Sequence, residues 1–174
     1  MKKLNSTNVS LAGEFAVLSQ LALRGYVANM TLGNTKGIDI LVADAEGGRM
    51  LKLEVKTNYQ GGGSEGSKSK DFGNFVSAWI MGEKHEQLSD PSLFFCFVNI
   101  TRDTKSFKFY IVPSAVVADY VKRQHQHWLA CATKGKRKDT TMRKFRLGRS
   151  SEEYPIPTPT VEQYEDNWDF KSVN

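Results

Sequence analysis

The chain has 174 residues, 40% of them hydrophobic, which suffices for one domain with a real core and falls short of two. Its net charge of +5 and pI near 9.2 favour a polyanionic partner and say nothing about fold. Two cysteines, Cys96 and Cys131, exclude a disulfide framework and match no zinc spacing, so they read as incidental thiols in a reducing compartment. The start of the chain, Met1 to Thr7, is basic and lacks the apolar stretch of a signal peptide. No apolar run approaches the ~20 residues of a membrane span, so a cytoplasmic protein with no membrane partner is expected.

Residues 9–25 predict a helix. Leu11, Glu14, Leu18 and Leu21 share one face, and Phe15 and Ala22 widen the stripe. Ser10 or Asn8 would cap its start and Gly25 its end. Glu14 then lies on the inward or boundary side, or serves only as an acid favoured by the helix dipole. A strand is expected from Tyr26 to Leu32, then a turn at Gly33-Asn34. Strands over 37–44 and 49–58 flank a Gly-containing turn, which predicts an antiparallel meander.

These two runs, Gly37-Ile38-Asp39-Ile40-Leu41-Val42 and Leu51-Lys52-Leu53-Glu54-Val55-Lys56, carry carboxylates where strands rarely have them. Residues two apart share a face, so Glu54 and Lys56 project together while Leu51, Leu53 and Val55 enter the core. Antiparallel pairing brings Asp39 beside Glu54. Two close carboxylates repel unless a cation lies between them, and hard oxygen ligands suit Mg²⁺ or Mn²⁺. Such an ion suits phosphodiester chemistry, with Lys56 near the attacking water. The plainer readings also stand: an exposed edge-strand face for Lys52, Glu54 and Lys56, and a turn cap at Lys36-Gly37 for Asp39.

Residues 60–70 are Gly-, Ser- and Lys-rich and predict a loop, either a plain connector or one that closes over a ligand; the spacing of a P-loop is missing. Residues 74–88 fit a short helix or a strand. Ser92 to Thr101 reads as a buried strand, 108–112 as another, and Pro113-Ser114 opens a helix of about 15 residues on which Val116, Val117, Tyr120, Val121 and Trp128 keep helical spacing. His85, His125 and His127 read as surface residues, and Trp79 and Trp128 as core.

Residues 134–149 are densely basic, with Lys134, Lys136, Arg137, Lys138, Arg143, Lys144, Arg146 and Arg149 against Asp139 alone. They form either a solvated segment or a grip on phosphates that reads no sequence. The acidic stretch 150–174 is interrupted by Pro155, Pro157 and Pro159 and is expected to be irregular, docked through Tyr164, Trp168 and Phe170.

Glu14 on the first helix, Asp39 in Gly-Ile-Asp and Glu54-Val55-Lys56 on the next strand resemble the PD-(D/E)XK nuclease superfamily, which includes restriction enzymes and Holliday-junction resolvases. Ile38 stands where the motif's proline would be. The resemblance covers roughly residues 8–115, with the whole of 1–174 taken as one domain. It implies an α/β, restriction-endonuclease-like core: a central mixed sheet of four to five strands flanked by helices. It further implies a Mg²⁺-dependent endonuclease hydrolysing DNA, with Asp39, Glu54, the Val55 carbonyl and Glu14 around the metal and Lys56 as catalytic lysine. A homodimer is expected on the same ground, and RNA stays open as a substrate. The alternative is a nucleic-acid-binding or assembly protein that keeps the fold and does not cleave.

Overall fold

The computed structural model of the chain describes residues 4–31, 37–43, 48–60, 68–131, 135, 137–150 and 154–170. The expected turn at Gly33-Asn34, most of the 44–48 turn, residues 61–67 of the Gly-rich loop, Lys134 and Lys136 lie outside them.

Helix α1 spans Ser6–Leu23 and starts one turn earlier than the apolar spacing suggests, because the Asn5 side chain accepts from the Asn8 N–H at 2.8 Å. It ends at Gly25, which adopts φ +81°. Strands β1 (Val27–Met30), β2 (Ile40–Ala43) and β3 (Met50–Gln60) form the antiparallel meander. A short β4 (Lys68–Ser69) falls at the end of the stretch 60–70 that was expected to be all loop, where it pairs with the following strand; β5 (Gly73–Gly82) and a 3-10 turn (Glu83–Gln87) occupy the stretch left open between helix and strand. β6 (Leu93–Thr101), β7 (Phe107–Pro113) and α2 (Ser114–Ala130) follow as expected. β8 (Met142–Ser150) and the single-turn α3 (Val161–Tyr164) complete the order.

The central sheet runs β1-β2-β3-β6-β7, mixed because β3 and β6 are parallel while every other pair is antiparallel. A second sheet, β4-β5-β8, is antiparallel. β6 explains the layering. Its Phe94, Cys96, Val98 and Ile100 pack toward α1, while Leu93, Phe95 and Phe97 pack toward the second sheet and α2. A strand buried on both faces reads as a continuous apolar run, and this one does. No described helix is long and apolar enough to cross a membrane.

The α1 face differs from its sequence reading. Leu11 is 40% and Phe15 57% exposed, whereas Gly13, Val17 and Leu21 are buried. The helix meets the sheet through its small residues: a Cβ at Gly13 would overlap the Thr57 side chain on β3. Close approach selects the Gly13 face: of the expected stripe Leu21 stays buried and Leu18 packs on the core, while Leu11 and Phe15 turn outward. The tail docks as expected, with Tyr164, Trp168 and Phe170 all buried.

Candidate metal centre

Asp39 lies just before β2, where that strand diverges from β3. The ladder closes at Ile40 opposite Leu53, and the Asp39 N–H still donates to the Leu53 carbonyl at 2.7 Å. The next free donor on β3 is the Val55 N–H, and it donates to Asp39 Oδ2 at 2.6 Å. A side chain thus takes the place of a missing strand partner and pins the carboxylate at the opening. Burial pushes the Asp39 carboxyl above its ordinary range. The Val55 N–H and Lys56 oppose that, and the negative charges of Glu14 and Glu54 add to it.

Glu54 is 2% exposed in the middle of β3, with β2 on one side and β6 on the other. The edge-strand reading is thereby excluded. Glu54 and Lys56 project to the face of Phe95 and Phe97, opposite Leu51, Leu53 and Val55. Lys56 Nζ lies 2.6 Å from Glu54 Oε1, and His85 Nε2 lies 3.1 Å from the same oxygen. Burial raises the Glu54 carboxyl, but the His85 hydrogen bond and the Lys56 charge outweigh it and hold the group below its ordinary value.

The other oxygen, Glu54 Oε2, is buried and has no hydrogen-bond partner among the described residues. Leaving a buried acceptor unsatisfied costs about 1–3 kcal/mol, and more for a charged group. Gly37, at φ +75°, makes room beside it: a Cβ there would sit 3.2 Å from Oε2 and 3.8 Å from Lys84 Nζ. The exposed Lys84 therefore approaches the same mouth.

Glu14 sits in the third turn of α1, half-buried, so the first-turn dipole reading does not apply. It accepts from Ser10 Oγ at 3.0 Å and bears electrostatically on Asp39. The structure thus gathers Glu14, Asp39, Glu54 and Lys56 around the point where β2 leaves β3. Among the described residues no three His, Cys, Asp or Glu side chains group closely enough to hold a metal by themselves. Two carboxylates with backbone carbonyl and water are the donor set Mg²⁺ ordinarily accepts, and the unpartnered Oε2 is a vacant hard-oxygen ligand, so the residues fit such an ion.

Two contributors escaped the sequence reading. His85 was expected on the surface and is buried between Glu54 and Phe95, with ring centroids 5.6 Å apart. Lys84 precedes it on the 3-10 turn. Nothing in a polar segment marks either, since their placement depends on how β5 packs against the central sheet. His125 is also buried, with Nε2 2.7 Å from Asp139 Oδ1.

The basic cluster is not one solvated surface. Its second half is β8, paired with β5, a strand the charge density concealed. Arg143 is 3% exposed, bonded to Glu86 and to the Thr140 carbonyl, with Glu83 and Asp139 each at 3.9 Å. Arg146 is 8% exposed, its guanidinium 4.3 Å from the centroid of the Phe72 ring. Neither presents its charge to solvent as expected. Arg137 lies over Trp128 at 4.9 Å, Lys144 is half-buried and Lys138 is exposed.

The chain is similar over nearly all its length to a bacterial homing endonuclease, I-Ssp6803I. The TM-score is 0.51 and the identity 15%, with 96% of this chain and 91% of that one covered. It also matches a Holliday junction resolvase, Hjc of Archaeoglobus fulgidus, at a TM-score of 0.42 and 14% identity over 79% and 83% of the two chains. No protein-family model matches the sequence, and no curated protein does. The fold is restriction-endonuclease-like: a mixed five-stranded sheet with helices at its sides.

Proposed function

We propose that the chain is a Mg²⁺-dependent endonuclease that hydrolyses DNA phosphodiester bonds, with Mn²⁺ able to replace Mg²⁺. The observation that carries this reading is the buried, unpartnered Glu54 Oε2, set beside Lys56 and within electrostatic reach of Asp39. Asp39 and Glu54 would hold the ion, with the Val55 carbonyl and Glu14 completing the set directly or through water. When bound, Mg²⁺ supplies Lewis-acid stabilisation of the phosphate and lowers the pKa of a ligand water.

The protein groups divide the remaining work. The Val55 N–H fixes Asp39 and leaves its second oxygen for the ion. Lys56, anchored on Glu54 Oε1, is 29% exposed at its side chain, so its ammonium borders both the carboxylates and solvent. There it orients the attacking water or neutralises charge gathering on phosphorus. Lys138, Lys144 and Arg137 would hold the nucleic-acid backbone, together with Lys134 and Lys136, and two copies of the chain would cut two strands. The similarity to the fold of the homing endonuclease supports the substrate class at the level of fold only.

A second reading, a binder that does not cleave, is favoured by one observation: no group of three ligating side chains is assembled among the described residues. Incubation of labelled plasmid, linear, branched and single-stranded DNA, and of RNA, with Mg²⁺, Mn²⁺ or EDTA decides between them. Metal-dependent cutting that Lys56→Ala abolishes supports the nuclease. DNA binding with no cutting on any substrate supports the binder.

A further inference from the structure

His85 is a buried histidine with both ring nitrogens engaged. Nδ1 lies 2.9 Å from the Gly82 N–H and 2.8 Å from the Gly82 carbonyl, and Nε2 lies 3.1 Å from Glu54 Oε1. If the ring is neutral, Nδ1 accepts from the Gly82 N–H and Nε2 carries the proton. If the ring is doubly protonated, Nδ1–H donates to the Gly82 carbonyl and Nε2 again carries a proton. Either state donates Nε2–H to Glu54, so the contact persists when the ring changes charge.

We propose that His85 is the positioning residue of the site: it fixes the plane of the Glu54 carboxylate so that one oxygen stays engaged and the other faces the divalent cation. The proposal rests on the metal-dependent reading above. The terminal torsion of a glutamate is broad, so a carboxylate held by one flexible lysine swings its plane and carries the free oxygen off the cation. Lys56 is such a lysine. His85 is not flexible: the 3-10 turn carries it, Gly82 clamps one side of its ring and Phe95 meets it edge-on. Together Lys56 and His85 saturate Oε1 and leave Oε2 bare beside Gly37. Partners that orient a ligand typically change metal affinity 10–100-fold when removed.

The test uses the whole protein and Mn²⁺ alone, titrated at fixed pH by calorimetry, without DNA. His85→Gln places an amide N–H where Nε2 stands. His85→Asn places one where Nδ1 stands, keeping the link to Gly82 and losing the link to Glu54. A positioning role predicts that His85→Asn weakens Mn²⁺ binding ~10–100-fold while His85→Gln recovers most of it. A merely structural role predicts the reverse order in thermal stability and equal Mn²⁺ affinities; equal affinities overturn the proposal and leave the metal site intact. If the wild-type protein binds no Mn²⁺, the metal-dependent reading falls and this proposal falls with it. Should His85→Asn not fold, the wild-type ring reports directly. Addition of Mg²⁺ then shifts the ¹⁵N resonance of His85 Nε2, and a resonance indifferent to Mg²⁺ overturns the proposal.

Discussion

Two strands of this molecule each bury a charge, and they do so to different ends. On β8, Arg143 is 3% exposed and its guanidinium is met by Glu86, by the Thr140 and Met142 carbonyls, and by Glu83 and Asp139 at the periphery. On β3, Glu54 is 2% exposed, yet Lys56 and His85 share one oxygen and the other is left bare among the described residues. Both residues are desolvated to the same degree. A buried charge whose donors are matched belongs to the architecture; one left half-matched has an oxygen to spare, which the proposed metal would take. Burial alone does not tell the two charges apart, whereas the partners met by each of their polar atoms do.

The contrast breaks most visibly at Arg143. Arg143→Met strands Glu86 and is expected to lower unfolding free energy by about 3–5 kcal/mol, read by urea denaturation. A loss below ~1 kcal/mol would mean that the β8 charge is not structural. Gly37→Ala comes next. It puts a side chain at φ +75°, costing about 1–2 kcal/mol, and sets a methyl 3.2 Å from Glu54 Oε2. Both stability and Mn²⁺ affinity are expected to fall. Full Mn²⁺ affinity in a destabilised Gly37→Ala protein would show that Oε2 is not a ligand.

Glu54→Gln sharpens the comparison from the other side. Removing the charge relieves its desolvation while forfeiting the Lys56 and His85 pairs, so stability is expected to change by less than ~1 kcal/mol. Mn²⁺ binding is expected to fall by more than ~10-fold, which calorimetry reads beside the denaturation curve. The smallest effect belongs to an exposed pair. Lys52 Nζ lies 2.9 Å from Asp90 Oδ2, and its hydrogen bond, with those from Ser92, pulls the Asp90 carboxyl down to about 2 from an unfolded value near 3.8. A depressed carboxyl contributes stability that is present above pH 3.8 and lost as the pH falls toward 2. Asp90→Asn is therefore expected to cost at most ~1 kcal/mol at pH 7, and the difference from wild type should vanish near pH 2.

How much of this was legible depends on the range of the interaction. Asp39, Glu54 and Lys56 announced themselves because two-residue alternation assigns sides along a strand, and the strand pairing is local. β6 was legible from continuity alone. α1 was legible as a helix, but its buried face was not, because the reading followed size. The structure chose Gly13 and Val17 because β3 passes too near for Leu11 or Phe15. β8 carries Phe145 and Leu147 at the same alternation as any half-buried strand, yet four arginines and lysines from Arg143 to Arg149 mask it. His85 was beyond reach. Its partner is 31 positions away and the segment between them pairs with a different sheet.

That separation also orders events in time. β2 and β3 are neighbours in sequence, so Asp39 can find the Val55 N–H as soon as their hairpin closes. The parallel pairing of β3 with β6 must wait until the whole intervening excursion has folded back, and contacts of that kind close slowly. The two halves of the Glu54 environment are therefore expected to form in sequence, the strand pair first. The Val55 amide is expected to gain protection before the Gly82 amide during refolding, and pulsed amide exchange at the two positions measures that order.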